Sequence, residues 1–587
     1  MKAKQIPIIL VVLSMFITSS CEYKPPTAPI ADITQVSDLT SGEENNDDSD
    51  TTTVNSTPSN DVSDGEEYIC ETSDDPYSPV PPVVPVPSPN SPPVPPVFPV
   101  DYSESSDIPT IPTIPGGSTP PPGGDDPGDD YYPGEENFGE LTFNGFVSTS
   151  EDNLSTFSFD VDEGSYTFGR NKINSGILPP EESVRIEEYI NYFQQDYESP
   201  LDDPFSVHVD GSISPFRPDS LHILRIGIKG KELDESEISE IKDWNLTFLI
   251  DVSGSMTSRL NLVKESLFIL VDNMRSNDKI SICTYAGSVT TVLEPTSLTE
   301  MGAEEIKSII CDLVAGGSTA MGSGIQNAYD INQSGFIDDG VNRVIVCSDG
   351  DANVGSVSPE EILEMISDYV ETGITLSTIG FGNGNYNDLM MEQLADNGNG
   401  NYYYIDDITE AERVFRDNLF SMLYIIAKDV KVQVEFNMNS VIRYRLIGYE
   451  NRAIEDEDFE DPTTDAGEIG PEHTSTALYE VELSDFMDPN ICTVHLLYKM
   501  PNGEEDVPLD IDIPSTVINN DFNSNTTARF RFTVGVGEYA EILRGSPYVN
   551  TSFESVIPII EEAVYNGNFY EDDFELLELI EECMEIE

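Results

Sequence analysis

The sequence predicts a doubly wound α/β domain with a mostly parallel sheet, inserted in a β-sandwich-like domain. C-terminal helices and a long disordered N-terminal stalk complete the expected fold. Three observations predict it. Between Trp244 and about Ile426, apolar strand-like runs alternate with amphipathic helical ones, the pattern of buried parallel strands joined by helices. The flanking stretches instead alternate apolar and polar residues, as half-buried antiparallel strands do. Ahead of both, from Glu22 to about Glu140, the chain is polar, acidic and proline-rich and cannot bury enough apolar surface to offset ordering.

At the N-terminus, Lys2 and Lys4 precede the apolar run Ile6 to Ile17. That run is too short to span a bilayer and reads as a secretory signal. Small residues Thr18, Ser19 and Ser20 lead into Cys21 in a pattern that resembles a bacterial lipobox, which makes Cys21 the expected lipidation site. Plain secretion with cleavage nearby is the alternative. Residues 22–140 follow as a linker with no Lys or Arg between Lys24 and Arg170. As a coil it would reach ~60 Å.

Order is expected from residue 141. "STFSFDVDEGSY" points Phe157, Phe159 and Val161 inward and Ser158, Asp160 and Asp162 outward. Pro179 and Pro180 then open a helix over Glu181–Phe193. Phe205–Ile213 and Leu221–Ile228 read as strands and complete a region of 141–240. In 241–426 the strands are "LTFLID", "KISICTYAG", "TTVLEP", "RVIVCSDG" and "ITLSTIGFG", with a helix over Glu304–Val314. In 427–527, "VKVQVEF", "YRLIGYE", "STALYEVEL" and "CTVHLLYKM" return to antiparallel-type alternation; 528–587 is helical. Strands before and after the α/β stretch each have one apolar face, and sharing one sandwich is the economical way to cover both.

The 587 residues suit two or three domains. Acidic residues number 109 against 28 basic ones, a net charge of −81, which argues against nucleic acid and against adsorption to anionic lipid. Any membrane contact is expected through the N-terminal lipid only. The acids are dispersed, so solubility explains them at least as well as attraction of divalent cations does.

The residues with a specific chemistry are in "FLIDVSGSM". Asp251, Ser253 and Ser255 come just past the end of a buried strand, where doubly wound sheets bind ligands. "GGSTAMGSG" places Thr319 in a glycine-rich loop, and "VIVCSDGDANVG" ends another strand at Asp349. Two carboxylates and three hydroxyls, with no histidine or thiolate, suit Mg²⁺, Mn²⁺ or Ca²⁺ rather than zinc. DxSxS after a strand, a distant glycine-flanked Thr and a later Asp resemble the metal-ion-dependent adhesion site of von Willebrand factor A domains. By that resemblance Asp251, Ser253, Ser255, Thr319 and Asp349 hold the ion, and an acidic side chain of a protein partner completes its coordination. "GILPPEESVRIEEYINYF", "IAKDVKVQVEFN" and "DAGEIGPEHTSTALYE" are similar to the flanking segments of bacterial YfbK-like lipoproteins. The resemblance covers about residues 141–587. It implies an exported, lipid-anchored protein of the cell envelope, at the outer membrane or cell surface, that adheres or assembles through its metal site. The alternative is an envelope scaffold whose metal site is mainly structural.

Other readings are weaker. "GGSTA" follows a helix rather than a strand and lacks the last glycine of a nucleophile elbow. His208, His222, His473 and His495 form no triad pattern, so no enzyme is expected. Asp349, Asp351, Asn353 and Glu360 fall at calcium-loop spacings, but the glycine is displaced to Gly355. The strand order usual in von Willebrand factor A domains, which the resemblance implies, puts a third strand between those of Cys283 and Cys347, which are therefore expected as free thiols.

Overall fold

The computed structural model describes residues 138–587 apart from 140, 201–202, 218–220, 318–320, 351–358, 383–387, 465, 502, 504, 568–569 and 587. The chain divides into units 1–89 and 90–587, and every described residue belongs to the second. Cys21, the expected lipidation site, and residues 22–137 of the expected linker lie outside the described residues.

Six strands form the α/β sheet, in the order Tyr402–Ile405, Thr375–Phe381, Val341–Ser348, Trp244–Asp251, Lys279–Tyr285, Val289–Ser297. All neighbours are parallel except the last pair. All eight residues of Trp244–Asp251 are buried, as a central strand covered by helices on both faces requires. This strand separates Cys283 from Cys347, pairing Leu249 with the one and Ile250 with the other. Both thiols are free. Tyr402–Ile405 was not among the expected strands; four residues of "YYYI" carry too little pattern to mark it.

The flanking segments share a β-sandwich. One sheet runs Val147–Ser148, Val441–Ile447, Thr474–Leu483, His222–Gly230, Phe205–Ile213, Ile518–Asn519. Strands from before and after the α/β domain therefore lie side by side, Thr474 to Val481 pairing with Lys229 to His222. In the facing sheet, Leu154–Ser158 pairs with Ala427–Phe436, which also pairs with Asn490–Lys499. Leu224, Ile226, Val432, Val434, Tyr479 and Val494 meet in the core between them. The outer face of the first sheet carries Ile223, Ile447 and Leu478 into a second core with helices Ala528–Leu543, Phe553–Asn566 and Glu571–Ile586.

Three expectations need correction. Helix Glu181–Phe193 is broken: a single 3-10 turn, Glu181–Ser183, is followed by extended Val184 and Arg185, and the helix proper is Ile186–Asn191. The break lets the Arg185 N–H donate to Ser165 Oγ at 2.9 Å and its guanidinium reach Asp388 and Glu188. Asp160 and Asp162 do not face solvent. They are 3% and 4% exposed, and both lie against the Arg452 guanidinium, at 3.3 and 2.8 Å. The helix expected over Glu304–Val314 stops at Cys311; bonds from Asp312 and Leu313 back to Ile309 and Ile310 tighten its end.

The α/β domain is fastened to the flanking segments by ion pairs as well as by two chain crossings. Arg170 reaches Asp406 at 2.6 Å and Glu410 at 2.9 Å, and Arg452 reaches Asp396 at 2.8 Å. Trp244 and Phe420, where the chain enters and leaves, have ring centroids 5.2 Å apart. Asp251 sits at the other end of the same strand, ~23 Å away at the usual rise. The rim that carries the candidate ligands thus points away from the sandwich.

Candidate metal centre

Parallel pairing on both sides of Trp244–Asp251 sets the height at which each residue emerges. Asp251 is level with Tyr285, and a one-residue slip would turn the strand's entire side-chain pattern over. Beyond Asp251 the chain bends, and the Ser253 N–H donates to Asp251 Oδ1 at 2.7 Å. That bend swings the alternate side chains onto one spot. Ser253 Oγ and Ser255 Oγ are 2.9 Å apart, the first buried and the second exposed. Ser348 Oγ, from the neighbouring strand, stands 3.5 Å from Asp251 Oδ2.

Asp349 follows directly on Val341–Ser348 and is 1% exposed. Its Oδ2 accepts from Arg259 Nη1 at 3.1 Å, and the same nitrogen donates to the Ser255 carbonyl at 3.2 Å. The glycine loop is seated by backbone bonds, Gly316 N–H to the Val252 carbonyl at 2.7 Å and Gly254 N–H to the Gly317 carbonyl at 3.2 Å. Gly316 and Gly317 have φ of 158° and 108°, and at Gly317 this is a conformation that L side chains avoid.

The structure therefore brings Asp251, Ser253, Ser255 and Asp349 to one rim. Thr319 lies outside the described residues, as do Asp351 and Asn353 of the calcium-loop spacing. Burial pushes the Asp251 carboxyl up to about 6 and the Asp349 charge adds to this, while hydrogen bonds from Ser253 and Tyr285 oppose it. The Tyr285 hydroxyl is buried and meets no partner at full hydrogen-bond geometry. These donors fit a divalent ion: all are oxygens, two are buried carboxylates, and two hydroxyls already lie within one ion's reach of each other. Among the described residues no group of three or more His, Cys, Asp or Glu is placed to hold a metal ion; this candidate site has two carboxylates, with hydroxyls as its other donors.

Arg259 went unnoticed in the sequence. It lies one turn beyond DxSxS, and nothing in local spacing marks an arginine as facing a ligand. The histidines are elsewhere. His473 Nδ1 accepts from the Gly470 N–H at 3.2 Å, and His495 faces Asp510 at 2.7 Å on the sandwich. A cleft of about 1040 Å³, lined by Glu163, Arg170, Arg413, His473 and Asp572 among others, is remote from the rim.

Comparison with known proteins identifies the family and the domain. Residues 245–417 match the von Willebrand factor type A domain, residues 132–224 match a family described as von Willebrand factor, and residues 421–586 match "Uncharacterized protein YfbK, C-terminal". The "Uncharacterized protein YfbK" of Escherichia coli (strain K12) is 36% identical over 456 residues, 72% of this chain and 77% of that one. Human inter-alpha-trypsin inhibitor heavy chain H3 is 29% identical over 170 residues, 28% of this chain and 19% of that protein. Among solved structures, a von Willebrand factor type A protein from Catenulispora acidiphila matches with a TM-score of 0.36 at 14% identity, over 60% of this chain and 89% of that one. Proximal thread matrix protein 1 from the mussel byssus, described with a zinc-occupied MIDAS motif, matches with a TM-score of 0.26 at 20% identity, over 31% and 48%. On the strength of the E. coli relative and the C-terminal match, the chain belongs to the YfbK family of proteins with a von Willebrand factor type A domain.

Proposed function

We infer that the protein is an exported, lipid-anchored module that binds a protein partner through a divalent ion, Mg²⁺ or Mn²⁺ before Ca²⁺. Asp251, Ser253, Ser255 and Asp349 would hold the ion, with Thr319 added from the glycine loop. When bound, the ion supplies a Lewis-acidic position for one further oxygen from outside. The chain's own residues do the rest. The two buried carboxylates fix the ion's place, and exposed Ser255 keeps the rim open to a partner's acidic side chain.

The observation that carries this reading is the convergence of two buried carboxylates and a pair of hydroxyls 2.9 Å apart on a rim facing away from the sandwich. Backbone bonds already seat the glycine loop, which favours a binding role over a purely structural ion. Binding rather than catalysis is also supported by the chemistry of the remaining groups. Burial pushes the thiols of Cys283 and Cys492 up to about 12, so they are not nucleophiles at neutral pH. The test is capture from envelope extracts by the purified chain in Mg²⁺ or in chelator, with Asp251→Ala alongside. A partner retained only by the wild type and only in Mg²⁺ is expected. A partner retained equally by the variant, or in chelator, would remove the metal from the recognition step.

A further inference from the structure

Arg259 has an environment that an ordinary surface arginine lacks. Its guanidinium is held by Asp349 Oδ2 at 3.1 Å and by the Ser255 carbonyl at 3.2 Å, so it touches two members of the ligand set at once. Its stem lies against Gly382, whose φ is +95°; a Cβ built there would fall 1.5 Å from Arg259 Nε. Only a glycine leaves that space. The side chain is 16% exposed and so remains within reach of a molecule arriving at the rim.

The charges at the rim give this arrangement a consequence. Two carboxylates just balance a divalent ion, so a site made of Asp251, Asp349, hydroxyls and the ion alone would be neutral. The whole chain meanwhile carries −81 and repels anions at long range. With Arg259 beside the ion, the occupied site has one positive charge to spare. That is the charge a single carboxylate neutralises, and a guanidinium donates to carboxylates in good geometry. The same cation, already on Asp349 Oδ2 at 3.1 Å, would compete with an ion for that carboxylate.

We propose that Arg259 is the specificity-determining residue of the metal rim: it weakens ion binding through Asp349 and selects a carboxylate-bearing partner as a second anchor beside the ion. The proposal rests on the metal-site reading above. It predicts opposite signs for two affinities, which a merely structural role would not produce. A residue that only props up the loops should weaken both when removed.

The probes are Mn²⁺ alone and acetate. Mn²⁺ affinity is measured by calorimetry on the full chain, and acetate binding by its displacement of water from bound Mn²⁺ in proton relaxation. Arg259→Gln is expected to bind Mn²⁺ about 3–10-fold more tightly, through loss of a nearby like charge, and acetate several-fold more weakly. Arg259→Lys keeps the charge and should restore both towards the wild type. Gly382→Ala moves the guanidinium without deleting it and should shift both quantities in the direction of Arg259→Gln. Unchanged or weaker Mn²⁺ binding by Arg259→Gln, undiminished acetate binding, or a glutamine variant that cannot fold while the lysine variant behaves no differently from it would overturn the proposal. If the wild type and Asp251→Ala bind Mn²⁺ equally, the metal-site reading itself fails, which is a distinct result.

Discussion

Gly382 and Arg452 show how single residues hold the rim and the frame. At Gly382, a methyl group would meet the Arg259 side chain in a backbone conformation of φ +95°. Gly382→Ala should therefore lose ~1–3 kcal/mol, read as a lower urea midpoint with an unchanged slope. Arg452 is the shared counter-ion of Asp160, Asp162, Glu392 and Asp396, within 2.8 to 3.6 Å of each. Arg452→Ala leaves those carboxylates buried without it and should cost about 3–5 kcal/mol, again by denaturant titration. The difference between these residues and the candidate metal ligands explains what the sequence could reveal. Asp251, Ser253 and Ser255 were legible because a buried run ends in a fixed pattern. Asp160 and Asp162 alternate just as solvent-facing acids would, and their partner Arg452 is 290 residues beyond Asp162. Local pattern cannot identify a pairing that only the tertiary fold creates.

At the scale of elements, helices Gly164–Asn174 and Ile186–Asn191 carry shielded carboxyls at their starts, Glu163 as the N-cap of the first and Glu187 in the first turn of the second. Burial, opposed by Arg413, pushes Glu163 up to about 7; burial also pushes Glu187 up to about 7, although the Tyr449 N–H opposes it. A carboxyl raised from 4.5 stabilises the fold fully below pH 4.5, and that contribution is lost as pH rises through 7. Buried His473, held near 4, opposes this only below its unfolded value of 6.5. Between pH 6.5 and 8 the two glutamates act with no offset from it, and stability should fall by about 1–2 kcal/mol. The check is thermal unfolding at constant ionic strength; a flat or rising Tm across that window would contradict it. Element boundaries were the less legible part of the fold. Strand Asp506–Pro514 contains Pro508 and lies at a sheet edge, where proline is tolerated but the sequence signal is lost. Helix Glu181–Phe193 was expected whole because its apolar spacing is helical; the buried Arg185 contacts with Asp388 and Glu188 override that spacing.

At the scale of the whole molecule, the sandwich and the α/β domain depend on each other. Thr474–Leu483 has His222–Gly230 as one of its two neighbours, and Ala427–Phe436 pairs with Leu154–Ser158. Residues 428–587 alone would expose both strand edges and lose the part of each apolar core that residues 141–240 supply, so this fragment should show no cooperative unfolding transition; a sharp one would refute the shared sandwich. The shared architecture was legible because both sets of strands had one apolar face and neither could be soluble alone. The individual pairings were not, since register across an inserted domain of about 180 residues has no local signature. The proposed function places its binding site at the outward rim and depends above all on the ion. The most direct measurement is calorimetric titration of Mn²⁺ into the full chain and into Asp251→Ala, at a salt concentration that screens the dispersed acids. The account predicts one saturable site in the wild type that is absent from the variant. Identical isotherms for the two would contradict it.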